Sequence, residues 1–128
     1  MRFMMLMIPK GYEKAAADAR PDPEHIAAMT KYNESLTKAG VLLSLDGLHP
    51  PSTAVRVSFE GGTPKVTQGP FPEADAVIGG YWMIQVKSRE EAIEWATRVP
   101  AGPNEVVEVR KVFEMEDFSP EVQKAAGR

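Results

Sequence analysis

The run Phe3-Met4-Met5-Leu6-Met7-Ile8 is apolar at every position and stops at Pro9, and it constrains the chain more than any other stretch. Side chains of a strand alternate between two faces, so a strand with one wet face alternates in polarity. This one does not, which predicts a central strand over residues 2–8 that needs cover on both sides. The run is too short for a membrane span or for a secretory h-region with its cleavage site. A cytoplasmic protein with no membrane partner is the resulting expectation.

Helix and strand signals alternate downstream. Asp22 before Pro23 is an N-cap followed by proline at the first helical position. Ile26, Met29, Asn33 and Leu36 recur on one face, with Tyr32 beside them, as far as the left-handed stop at Gly40. The spacing predicts a helix over 23–39 with one buried stripe. Val41 to Leu45 reads as a second strand, which Asp46-Gly47-Leu48-His49-Pro50-Pro51 breaks into a loop. Ala54 to Phe59 alternates, Glu60-Gly61-Gly62 turns and Pro64 to Thr67 returns, which predicts an inserted hairpin.

A rigid Gly69-Pro70 turn precedes the strand Gly80 to Val86. Ser88 with Glu91 three residues on is a capping box that opens a helix over 89–99, with Ala92, Ile93, Trp95, Ala96 and Val99 inward and Pro100 as its stop. Val106 to Phe113 is the last strand, and Ser119-Pro120-Glu121 caps a short C-terminal helix in a tail of residues 114–128. The order predicts a single α+β domain over 1–113, a ferredoxin-like split βαβ with a β-hairpin insertion. Two helices cover one face of a four-stranded sheet, so the second apolar face of the first strand is expected to meet a second copy of the chain in a homodimer.

Composition removes whole classes of chemistry. The chain has no cysteine, so disulfides, thiolate metal sites and cysteine nucleophiles are excluded. A net charge of −3 with no Lys/Arg run longer than a pair predicts no direct nucleic-acid partner. His25 and His49 are far apart and without metal-ligand spacing, and neither a P-loop nor a dinucleotide fingerprint is present, so no metal and no cofactor is expected.

Asp46 and His49 lie three residues apart, and a carboxylate beside an imidazole orients its tautomer and raises its basicity. The competing reading is that Asp46 caps the turn and His49 is a solvated loop residue. Phe71 with Tyr81 or Trp82 would line a small apolar pocket, with Arg56 or His49 fixing an anionic group on a ligand. Alternation puts Tyr81, Met83 and Gln85 on one sheet face and Trp82, Ile84 and Val86 on the other.

Taken in order, Gly40-Val41-Leu42-Leu43, Leu48-His49-Pro50-Pro51-Ser52-Thr53, Gln68-Gly69-Pro70-Phe71-Pro72-Glu73, Gly79-Gly80-Tyr81-Trp82, Glu91-Ala92-Ile93-Glu94-Trp95-Ala96 and Val107-Glu108-Val109-Arg110 resemble the DGPF branch of the YCII-related proteins. The resemblance implies a dimeric α+β barrel. It implies an acid/base dyad of a histidine on the first helix and an aspartate before the proline that ends the second. The matching positions here are about Met29 and Val99, with His25 one turn from the first. Where the branch has aspartate at the head of its signature loop this chain has Gln68, and Glu73 stands in register with Asp75 nearby.

Two readings of function follow. In one, the protein is a small-molecule-binding homodimer. The resemblance extends this to lyase-like or dehydrohalogenase-like proton transfer on a small aromatic compound, with His49 as base, Asp46 as its orienter and Glu73 as a second acid. In the other, the chain is a noncatalytic partner protein, since relatives of the branch are associated with alternative sigma factors and transcription control.

Overall fold

The computed structural model describes residues 1–74 and 76–127; Asp75 and the terminal Arg128 lie outside the described residues. Strand β1 (Arg2–Ile8) occupies an inner position of a four-stranded sheet, as its two apolar faces require. The other members are β2 (Leu42–Gly47), β5 (Gly80–Gln85) and β6 (Val106–Lys111), in the order β2-β5-β1-β6. Every pairing is antiparallel. With helix α1 (Pro23–Lys38) after β1 and α2 (Arg89–Thr97) after β5, this is the ferredoxin-like α+β arrangement.

The core lies on one face of that sheet. Phe3, Met5 and Met7 of β1 and Trp82 and Ile84 of β5 are buried with Tyr32 and Leu36 of α1 and Ala92 and Trp95 of α2. Tyr32 meets Trp82 edge to face, with centroids 5.6 Å apart and planes at 82°, a geometry that suits the ring quadrupoles. Two polar bonds lock the layers together. The Tyr32 hydroxyl donates to the Trp95 carbonyl at 2.8 Å, tying α1 to α2, and Trp82 Nε1 donates to Asn33 Oδ1 at 2.7 Å, tying the sheet to α1.

The opposite face carries Met4, Leu6, Ile8, Tyr81 and Met83, each only half-buried. The hairpin strands β3 (Val55–Ser58) and β4 (Lys65–Gln68) form a separate two-stranded sheet. Every residue of these two strands except Ser58 is exposed, so the hairpin does not fold back as a lid on its own sheet.

Several boundaries differ from the sequence expectation. Strand β2 continues through Asp46 to Gly47, because Asp46 pairs with Tyr81 and Gly47 with Gly80. Asp46 is therefore a strand residue, and the loop begins at Leu48. Gly80 makes the pairing possible, since a Cβ there would lie 2.8 Å from the Asp46 carbonyl oxygen. Ile93 and Ile26 are 39% and 47% exposed, outside the buried stripes assigned to them. Strand β6 ends at Lys111; Phe113 instead stacks on Phe118 at 4.8 Å. The tail turns through residues 115–117 into α3 (Pro120–Ala125), and Arg2 pairs with Glu114 at 2.7 Å to hold its start against β1.

Burial drives the Tyr32 phenol up to about 12 from its ordinary 10.0. The folded value is the raised one, so its contribution to stability is full below pH 10.0 and is lost as pH climbs toward about 12. Tyr32→Phe is expected to cost about 1 kcal/mol at neutral pH by removing the buried hydroxyl's bond to the Trp95 carbonyl, which keeps only the Arg98 amide, and to shallow the alkaline loss of stability. Urea unfolding of both proteins between neutral pH and pH about 11 reads both effects.

Candidate functional site

At the end of the sheet where β2 stops and β5 starts, the first half of α1 is not sealed against the strands. Ile26, Met29, Asn33, Leu45 and Trp82 line a cleft of about 700 Å³. This explains why the α1 stripe is only partly buried: its second half, with Tyr32 and Leu36, fills the core, while its first half lines an opening. Trp82 and Leu45 belong to the helix side of the sheet and Asp46 and Tyr81 to the open side, so the cleft wraps around the strand ends. A hollow of about 340 Å³ beside Ser88 and Lys111 contains neither histidine nor tyrosine.

The walls of the cleft are fixed by backbone bonds. Leu48 N donates to the Gly79 carbonyl at 2.9 Å and Gly79 N to the Met7 carbonyl at 2.8 Å, which staples the β2 exit to β5 and β1. The Tyr12 hydroxyl donates to the Leu48 carbonyl from the turn that follows β1. Pro50 is fully buried, so the loop is anchored at the residue after His49, whose own side chain is exposed at the cleft.

Three of the residues singled out in the sequence, Asp46, His49 and Tyr81, meet here, and His25 joins them from the first turn of α1. The Asp46 carboxylate receives the Tyr81 hydroxyl at 2.8 Å. No hydrogen bond joins Asp46 to His49 among the described residues, so the carboxylate's observed partner is the tyrosine. That bond is also the main reason the Tyr81 phenol is raised above its ordinary value, since the acceptor favours the protonated hydroxyl; Ser44 acts in the opposite sense.

Arg56, Phe71 and Glu73 are not among the residues lining the cleft. The Arg56 guanidinium lies 4.0 Å from the centre of the Phe71 ring, a cation–π stack that fastens the signature loop to the hairpin. Glu73 is exposed on that loop, and Gln68 is the last residue of β4. Of the two positions matching the dyad, Met29 lines the cleft and Val99 is buried in the core.

Sequence reasoning gave Tyr12, Asn33 and Arg20 no part in the site. Asn33 had a visible signal, a polar residue within the apolar stripe of α1. Tyr12 and Arg20 sit on the irregular connection between β1 and α1, where periodicity offers none. Among the described residues no helix is long and apolar enough to cross a membrane, and no group of three or more His, Asp or Glu residues is placed to hold a metal ion.

Replacing Asp46 with Asn removes the charged acceptor and is expected to lower the Tyr81 pKa toward its ordinary value. In a spectrophotometric tyrosinate titration, one of the three tyrosines of the variant ionises earlier than in the parent protein. Unchanged titration curves would contradict the Asp46–Tyr81 assignment.

No curated protein matches the chain. A family model does: the YCII-related domain matches residues 1–116, which includes every strand and both core helices. The chain belongs to the YCII-related domain family.

Proposed function

We propose that this protein is a small-molecule-binding homodimer whose ligand site is the cleft between the first half of α1 and the ends of β2 and β5. The observation that carries the reading is the convergence of both histidines of the chain, Asp46 and Tyr81 on one opening of about 700 Å³ with an apolar back wall. A concave, mainly apolar pocket with a few convergent polar groups is the usual form of such sites. A volume of this size suits a compound of one or two rings. If the bound molecule is turned over, His49 is the group available for proton transfer, and Asp46 acts on it through ligand or water while it holds Tyr81.

The dimer is supported by two incompletely covered apolar surfaces. Met4, Leu6, Ile8 and Met83 form an apolar band on the open sheet face. On the hairpin, Val55, Val57 and Val66 are 51%, 51% and 61% exposed and Phe59 is 67% exposed. A lone two-stranded hairpin is at best marginally stable in water, and contiguous exposed patches of this kind mark interaction surfaces. A face-to-face pair of sheets covers the open band and brings each cleft, through Asp46 and Tyr81, to the edge of the shared interface.

Ligand-dependent melting tests the site. In a panel of small phenols, hydroxyquinones and carboxylates, at least one compound is expected to raise the melting temperature of the parent protein by mass action, with a smaller rise in His49→Ala. A panel without a single shift would remove the ligand reading. For the dimer, Leu6→Glu on the open face is expected to halve the mass seen by light scattering while far-ultraviolet circular dichroism still reports folded helices. A parent protein that is already monomeric at micromolar concentration would refute it.

A further inference from the structure

We infer that the ligand of this cleft carries a single anionic acceptor group, a carboxylate on an apolar body, and that Arg20 receives it with His25 and His49 beside it. The inference rests on the cleft being a ligand site, as proposed above. Its basis is the hydrogen-bonding state of the polar side chains that line the opening.

Each acceptor side chain there already has one partner, while no bond among the described residues reaches the second oxygen of Asp46 or Glu105. Asn33 Oδ1 receives Trp82 Nε1 at 2.7 Å, Asp46 Oδ2 receives the Tyr81 hydroxyl at 2.8 Å, and Glu105 Oε1 receives the Gly102 amide at 2.7 Å. The two tyrosine hydroxyls and the indole are likewise spent as donors, since the Tyr12 hydroxyl is given to the Leu48 carbonyl. Arg20 commits only Nη1, to the neighbouring Ala19 carbonyl at 2.9 Å, and has no carboxylate partner among the described residues. The imidazoles of His25 and His49 have no hydrogen-bond partner among the described residues either.

A site that offers a guanidinium without a carboxylate partner, with two imidazoles on the same lining, favours a ligand that brings an anionic acceptor. The planar guanidinium fork matches a carboxylate in two-point contact. Arg20 is the one permanent cation among the described residues that line the cleft, which fits one negative charge better than two. Asp46 and Glu105 work against a second anionic group in the cleft. The apolar remainder of the ligand then lies along Met29, Leu45 and Trp82.

Calorimetric titration with three molecules of one shape separates the possibilities: 2-naphthoate, its neutral amide 2-naphthamide, and the cation 2-naphthylmethylammonium. The parent protein is expected to bind 2-naphthoate at least tenfold more tightly than the other two. Arg20→Gln loses at least that factor, while Arg89→Gln, an exposed arginine outside the cleft, leaves it unchanged. Equal or tighter binding of the amide or the ammonium, or full retention of naphthoate affinity in Arg20→Gln, would overturn the anion assignment and leave the cleft as a ligand site. Failure of all three to bind the folded parent protein at millimolar concentration would overturn both.

Discussion

The indole of Trp82 is the point on which this structure turns. Its ring meets Tyr32 edge to face and its Nε1 donates to Asn33, so one side chain of the sheet grips two consecutive residues of α1. Toward the C-terminal side of that grip, Leu36 is fully buried in the core formed with β1 and α2. Toward the N-terminal side, the helix is held off the strands and the cleft opens. The same residue therefore closes the core and forms the back wall of the site. An indole suits this double position because it offers a large apolar surface and a single donor that must be satisfied when buried.

The sheet imposes the second constraint. β1 is apolar on both faces, and one chain supplies helices for only one of them. The half-buried band, together with a hairpin that exposes Val55, Val57, Phe59 and Val66, is the hydrophobic ground for the proposed dimer. Because the cleft wraps around the strand ends to Asp46 and Tyr81, the partner in the proposed dimer would lie next to the mouth of the cleft. Assembly and ligand binding would then share a boundary, so changes at the interface alter the mouth of the cleft.

Much of this was legible in the chain. The uniform apolar run of β1, the Asp22-Pro23 start of α1 and the Ser88 N-cap of α2 mark the element order, each a local signal with a direct physical cause, although the Glu91 side chain accepts from the Lys87 amide and so does not complete a capping box. The face assignment of Tyr81 and Trp82 followed from alternation alone. Asp46 was misplaced because the prolines after it were read as ending the strand too early; strand ends are decided by the partner strand, and Gly80 lets β2 pair two residues further. Arg56 and Phe71 were expected at a pocket because an arginine and an aromatic are common ligand contacts. In the structure they satisfy each other. Arg20 lies in an irregular connection that no periodicity describes, and only the three-dimensional arrangement brings it to the same cleft as His25 and His49.

The central claim is that the opening under the first half of α1 receives a ligand while the core beyond Trp82 stays closed. The chain has two tryptophans, one on each side of that boundary: Trp82 at the cleft and Trp95 buried on α2. A nitrogen–proton correlation spectrum therefore contains two indole signals that report the two regions separately. Titration with 2-naphthoate is predicted to shift the Trp82 indole signal in a saturable way and to leave that of Trp95 in place. A saturable shift of Trp95 alone, or no movement of Trp82 while the compound is bound, would contradict the account.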